Sequence, residues 1–211
     1  MSMPAKPLPL ATTFNLTMTY AITYISASFL DLWTTHLALL QTQAAEGNPF
    51  AVVEGSYSAT RALAFTAIVG LLLIGYVAYG LANLHRVADE HLRRPLRSYA
   101  QFGGWLGLTV LLAVYFVPRS DRAALHTLSA AIAFVVLRFL AAANNAMIAM
   151  WGDGFLAAAL RPAISAIGPL WAFVLVICGL YAVLILMTAK ILGLFIATSR
   201  EADVRMTGAT A

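Results

Sequence analysis

The side chains best placed to do chemistry are Asp31, Arg138, Asn145, the histidines His36 and His126, and Lys190. Asp31 falls inside a long apolar run, where a carboxylate costs roughly 3 kcal/mol on insertion scales unless it is paired, protonated or near water. Thr17, Tyr20, Tyr24, Ser28, Asp31 and Thr35 recur at spacings of three and four, which puts them on one helical face. Such a stripe serves a proton or ion path, serves a catalytic carboxylate, or acts as polar glue between helices. Arg138 is the natural counter-charge, and Thr127, Arg138 and Asn145 share a face of their own. Asn144 adds a second amide at the level of Asn145. Counting ~1.5 Å per residue sets Asp31 and Arg138 about 10–12 Å apart in depth. A direct pair would use the full reach of the arginine; otherwise Arg138 snorkels to the surface or meets a partner subunit. Asp31, Thr35, Arg138 and Asn145 together predict a polar site within the membrane.

His36 and His126 fall at similar depth in separate apolar runs, and two such imidazoles can ligate a b-type haem axially. Each also has a simple interfacial explanation, and His85 and His91 belong to a basic, solvated loop. Thr188 to Leu194, which contains Lys190, looks like the retinal-lysine helix of microbial rhodopsins. Asp31-Leu32-Trp33-Thr34-Thr35 looks like their counter-ion helix. That family needs seven helices with the counter-ion helix third, so Lys190 reads instead as a snorkelling residue near a helix end. The lone Cys178 excludes an intramolecular disulfide and a multi-cysteine metal site. No zinc, nucleophile-elbow or phosphate-loop motif is present, so the sequence speaks against an enzyme. No cofactor other than haem is indicated.

The elements that must position these groups are membrane helices. Of 211 residues, 61% are hydrophobic and 10% charged, against about 45–50% and 25% in soluble domains. This excludes a soluble domain and a disordered tail. The net charge of +4 reads as topology, not as nucleic-acid binding. Five apolar stretches are predicted as spans, at 17–42, 62–84, 102–117, 123–151 and 164–197, in an all-α polytopic membrane bundle. Residues 1–16 and 198–211 are the flanking tails of a single membrane domain, 17–197. The third stretch is short for a ~30 Å hydrocarbon core, which takes about 20 residues. The fifth is read as continuous through Gly168 and Pro169, with 155–160 a short interfacial helix before it. Arg86, Arg93, Arg94 and Arg97 place the loop after the second span on the cytoplasmic side of a bacterial inner membrane. The N-terminus is then cytoplasmic and the C-terminus periplasmic, although Lys190, Arg200 and Arg205 sit awkwardly there. Gly103-x-x-x-Gly107 fits close helix contact.

Asp31-x-x-Thr34 followed by Glu46-x-Asn48-Pro49 resembles an uncharacterised family of small prokaryotic membrane proteins. In that family an Asp and a Thr near mid-membrane precede a loop with Glu, Asn and Pro. The resemblance covers about 35–45 residues by its motif spacing and implies no activity. It points to Arg61 as the matching basic residue. Glu46 and Asn48 are then expected to hold Arg61 across the turn and lock the first two spans as a hairpin. Three functions follow: a structural or accessory subunit of a larger membrane complex, a small transporter or proton conductor using Asp31, and a haem b electron carrier. The bilayer and other membrane subunits are the expected partners.

Overall fold

A computed structural model describes residues 7–42, 51–53, 56–93 and 123–208. The chain is all-α. Helix α1 spans Leu10–Thr42, α2 Ala59–Asn83, α3 Asp89–Arg93, α4 Ala123–Trp151, α5 Phe155–Ile167 and α6 Pro169–Gly208. The expectation of no β-structure is corrected in a small way. Strands β1 (Val52–Val53) and β2 (Ser56–Tyr57) pair antiparallel, Val52 opposite Tyr57 and Val53 opposite Ser56.

Among the described residues, three stretches are long and apolar enough to cross a membrane: Ala59–Arg86, Ala123–Trp151 and Leu175–Ala202. This is a membrane protein by helix length and composition. Helix α1 is longer than any of these at 33 residues, but its hydroxyls, Asp31 and His36 keep it out of that set.

The ends of the helices follow from local chemistry. Pro9 sits just before α1, where its missing N–H costs no hydrogen bond, and its carbonyl accepts the Thr13 N–H at 3.0 Å. Ser58 caps α2 by accepting the Arg61 N–H on its hydroxyl at 3.3 Å. The expected continuous fifth span is divided instead. Helix α5 runs through to Ile167 and stops at Gly168, whose φ of +83° suits a residue without Cβ, and Pro169 opens α6.

The long helices contribute to two compact units. One comprises residues 1–18, 73–132 and 185–211. Its core packs Val87 and Leu92 against Ala124, Leu125 and Ala197. Gly80 lets α2 approach α4, because a Cβ there would meet Leu128 and the Ala124 carbonyl. Gly193 does the same for α6 against the Leu92 carbonyl. Arg200 donates to the Leu84 and Val87 carbonyls and to Asp89, and Arg93 pairs with Glu201. The C-terminal part of α6 is thus bound to the basic segment that follows α2.

The other unit comprises residues 19–72 and 133–184. Here Tyr24 lies against Phe134, Asp31 against Arg138 and Thr35 against Asn145. Numbers rise together along both helices, so α1 and α4 run parallel. Tyr24 also meets Gly70 while Thr66 meets Arg138, so α2 runs antiparallel to both.

The parallel course of α1 and α4 is read from these contacts and not from the apolar runs. Leu84, Val87 and Leu92 pack on Ala124 and Leu125. Hydropathy marks apolar runs but carries no direction, which comes only from contacts. The expected third span, with Gly103 and Gly107, lies outside the described residues. The binding of Arg200 to the Leu84–Asp89 segment likewise removes the expected separation of the C-terminus from the basic loop.

Candidate functional site

The four residues expected to form a polar site, Asp31, Thr35, Arg138 and Asn145, meet in one layer of α1, α2 and α4. Arg138 Nη1 donates to Asp31 Oδ2 at 2.5 Å, and Nη2 donates to Thr66 Oγ1 at 3.0 Å. The guanidinium fork is therefore split between a carboxylate and a hydroxyl instead of clasping the carboxylate with both arms. The expected depth offset of Asp31 and Arg138 is overturned. It took the two spans as running in opposite directions, whereas α1 and α4 run parallel and bring the two residues level.

The remaining valences are taken in turn. Asn145 Nδ2 donates to Asp31 Oδ1 at 3.2 Å and to Thr35 Oγ1 at 2.8 Å. Thr35 and Thr34 donate their hydroxyls to the Asp31 backbone carbonyl at 2.8 and 3.1 Å. The Asp31 and Arg138 side chains are 10% and 12% exposed, so unpaired charge here would be costly. Their charges cancel. Phe134 lies under the guanidinium, 5.4 Å from Cζ to ring centroid, in cation–π range. The same ring stacks with Tyr24 and takes Tyr181 edge-on. Ser28 Oγ and Arg138 Nε are buried and find no hydrogen-bond partner among the described residues.

Thr66 and Tyr24 complete the layer. The Tyr24 hydroxyl donates to the Thr66 carbonyl at 2.6 Å, and a Cβ at Gly70 would strike the Tyr24 ring. The sequence signal for Thr66 is its position one helical turn before Gly70: a hydroxyl and a close-approach glycine on one face. Tyr24 stood in the α1 stripe, but its partner on α2 was not predicted.

Asn144 does something else. It is buried, and its Oδ1 accepts the Leu156 N–H at 2.8 Å and the Ala157 N–H at 3.4 Å. These are two of the free donors in the first turn of α5. Gly154, at the N-cap position, has no side chain to supply the bond. A Cβ there would lie 2.4 Å from Asn144 Oδ1. The glycine that cannot cap the helix leaves room for the residue ten positions earlier that does. Asn144 Nδ2 points to Asn145 Oδ1 at 3.4 Å, so a hydrogen-bonded line joins Thr66, Arg138, Asp31, Asn145, Asn144 and the start of α5.

The other expected sites fare differently. Glu46 and Asn48 lie outside the described residues. Arg61 is exposed and donates Nη1 to the Val52 carbonyl at 2.9 Å, which ties α2 to strand β1. His36 is exposed on α1, while His126 is buried near the start of α4 in the other unit. Among the described residues no three His, Cys, Asp or Glu side chains converge as a metal site requires. Asp153 and Arg161 pair at 2.5 Å beside α5, and the Gly154 N–H also donates to Asp153. The Arg161 hydrogen bond, then that N–H, holds the Asp153 carboxyl below the usual carboxylate range.

Comparison of the chain with protein-family models, with curated proteins and with solved structures gives no match.

Proposed function

We propose that the chain is a structural or accessory subunit of a larger inner-membrane complex, with the Asp31–Arg138 layer as the lock that holds its helices in register. The observation that carries this reading is the exposed side of α1. Ile22, Ile25, Phe29 and Trp33 are exposed there beside exposed Ser26 and His36. A mixed apolar and polar face suits a neighbouring protein helix better than hydrocarbon, because a partner supplies hydrogen bonds that lipid tails lack. The inward layer agrees with a lock. Its two charges neutralise each other, and a guanidinium has N–H donors but no acceptor, which makes it a poor relay for protons. The resemblance of residues 31–49 to small prokaryotic membrane proteins fits the same reading, as does the clustering of Arg86, Arg93 and Arg200 in one unit. By the positive-inside rule that end of the protein faces the cytoplasm.

The test is photo-crosslinking from Ile25 and His36 in intact membranes, followed by purification and mass spectrometry. Discrete adducts with one other membrane protein are expected, and Asp31→Asn should weaken them. Adducts with lipid alone, together with proton flux in proteoliposomes that Asp31→Asn abolishes, would replace the subunit with a conductor.

A further inference from the structure

Helix α5 is joined to the protein chiefly at its beginning. Of its 13 residues only Leu156 is buried, and its first turn is held by Asn144. Thirteen residues make about 20 Å of helix, too short to cross a ~30 Å core. The helix connects α4 to α6, both carrying stretches fit to span a membrane. Glycines of positive φ, Gly152 at +75° and Gly168 at +83°, set it off at either end.

Its side chains are sorted. Leu156, Leu160, Ala163, Ile164 and Ile167 recur at spacings that gather them on one face, and Arg161 and Ser165 lie away from it. Protein covers only the start of the apolar face: Ile164 remains 43% and Ile167 41% exposed. Trp151 and Trp171, one just before α5 and one just after it, are both exposed. Indole rings favour the boundary between headgroups and acyl chains. The one cation of α5, Arg161, is already paired with Asp153.

We infer that α5 lies in the plane of the bilayer surface, with Ile164 and Ile167 in the acyl boundary and Arg161 and Ser165 turned to water. The occupant of its open face is phospholipid, held by apolar contact and not by headgroup charge. A basic amphipathic helix gains affinity from anionic lipid; a helix whose cation is neutralised within its own chain does not.

Nitroxide labels test this at three single cysteines, Ile164→Cys, Ile167→Cys and Ser165→Cys, in a Cys178→Ser background. Cys178 is exposed, so its replacement leaves the interior intact. The full chain is reconstituted in phosphatidylcholine, alone and with added phosphatidylglycerol. Collisions with oxygen and with a water-soluble nickel chelate report depth. Labels at 164 and 167 are expected about 5–10 Å inside the interface, favouring oxygen, while the label at 165 favours nickel. Added phosphatidylglycerol and Arg161→Ala should leave all three depths unchanged. Equal access to nickel at 164 and 165 would mean a solvated helix, and shielding of 164 from both reagents a covering protein. A depth that increases with phosphatidylglycerol would mean attachment by charge. Each of these three results overturns the inference.

Discussion

Two of the aspartate–arginine pairs in this chain have the same chemistry and do different work. Asp31–Arg138 joins residues 107 positions apart, on two helices, and is about nine-tenths buried. Asp153–Arg161 joins residues eight positions apart beside one short helix, with side chains 50% and 66% exposed. Both close to 2.5 Å, so distance does not distinguish them. Surroundings do. Taking either charge of the first pair away leaves the other in a place that water cannot reach, whereas either charge of the second is simply re-solvated.

The largest expected effect follows from that asymmetry. Arg138→Met should destabilise the protein by about 3–5 kcal/mol, because it strands the Asp31 carboxylate. The double variant Asp31→Leu with Arg138→Met should recover most of the loss, since a buried pair exchanged for apolar groups of similar volume is often nearly neutral. Thermal unfolding in one detergent, with all four members of the cycle, measures it. A double variant as unstable as the single would show that the pair contributes attraction well beyond mutual neutralisation.

Asn144→Ala comes next, at about 1–2 kcal/mol, the usual cost of a helix cap with a buried donor left unpaired. Its mark is local: amide hydrogen exchange should accelerate at Leu156 and Ala157 well before it does along α4. Uniform acceleration would mean that Asn144 supports the whole bundle. Thr66→Val is smaller, roughly 1 kcal/mol for one ordinary hydrogen bond, because Arg138 keeps its bond to Asp31. It should lower the thermal midpoint while leaving exchange in α5 unchanged, because the Asn145–Asn144 side of the line is untouched.

The sequence was most informative where period and polarity agreed. A carboxylate at Asp31, within a stripe spaced three and four, can only face protein, and an arginine in another apolar run is its evident counter-charge. Asn145 followed by sharing the face of Arg138. Thr66 could not be read this way, since hydroxyls are common in membrane helices and satisfy themselves on the preceding turn, as Thr23 does. Helix direction was equally hidden. An apolar run reads the same in either sense, so the parallel course of α1 and α4 emerged only from paired contacts. The division at Gly168 carried a local signal, Gly followed by Pro. Pro169 is tolerated in the first turn of α6, so it does not by itself mark the end of α5 at Ile167.

The smallest expected effect sharpens the contrast most, because it concerns a pair that is well formed and nevertheless contributes little. Arg161 and then the Gly154 N–H hold the Asp153 carboxyl below its ordinary value. A depressed carboxylate adds stability above the unfolded-state pKa, about 3.9 for Asp, and that stability is lost as pH falls through the lower folded value. At neutral pH the pair is therefore fully formed, yet solvent on both side chains screens it. Arg161→Ala should move the Asp153 titration upward, seen by carboxyl carbon NMR, and stop short of the ordinary value because the Gly154 N–H still donates. The thermal midpoint at neutral pH should not change measurably. A midpoint that fell as far as in Asn144→Ala would place Asp153–Arg161 among the contacts that hold α5 to the protein. Exposure would then no longer separate the two pairs.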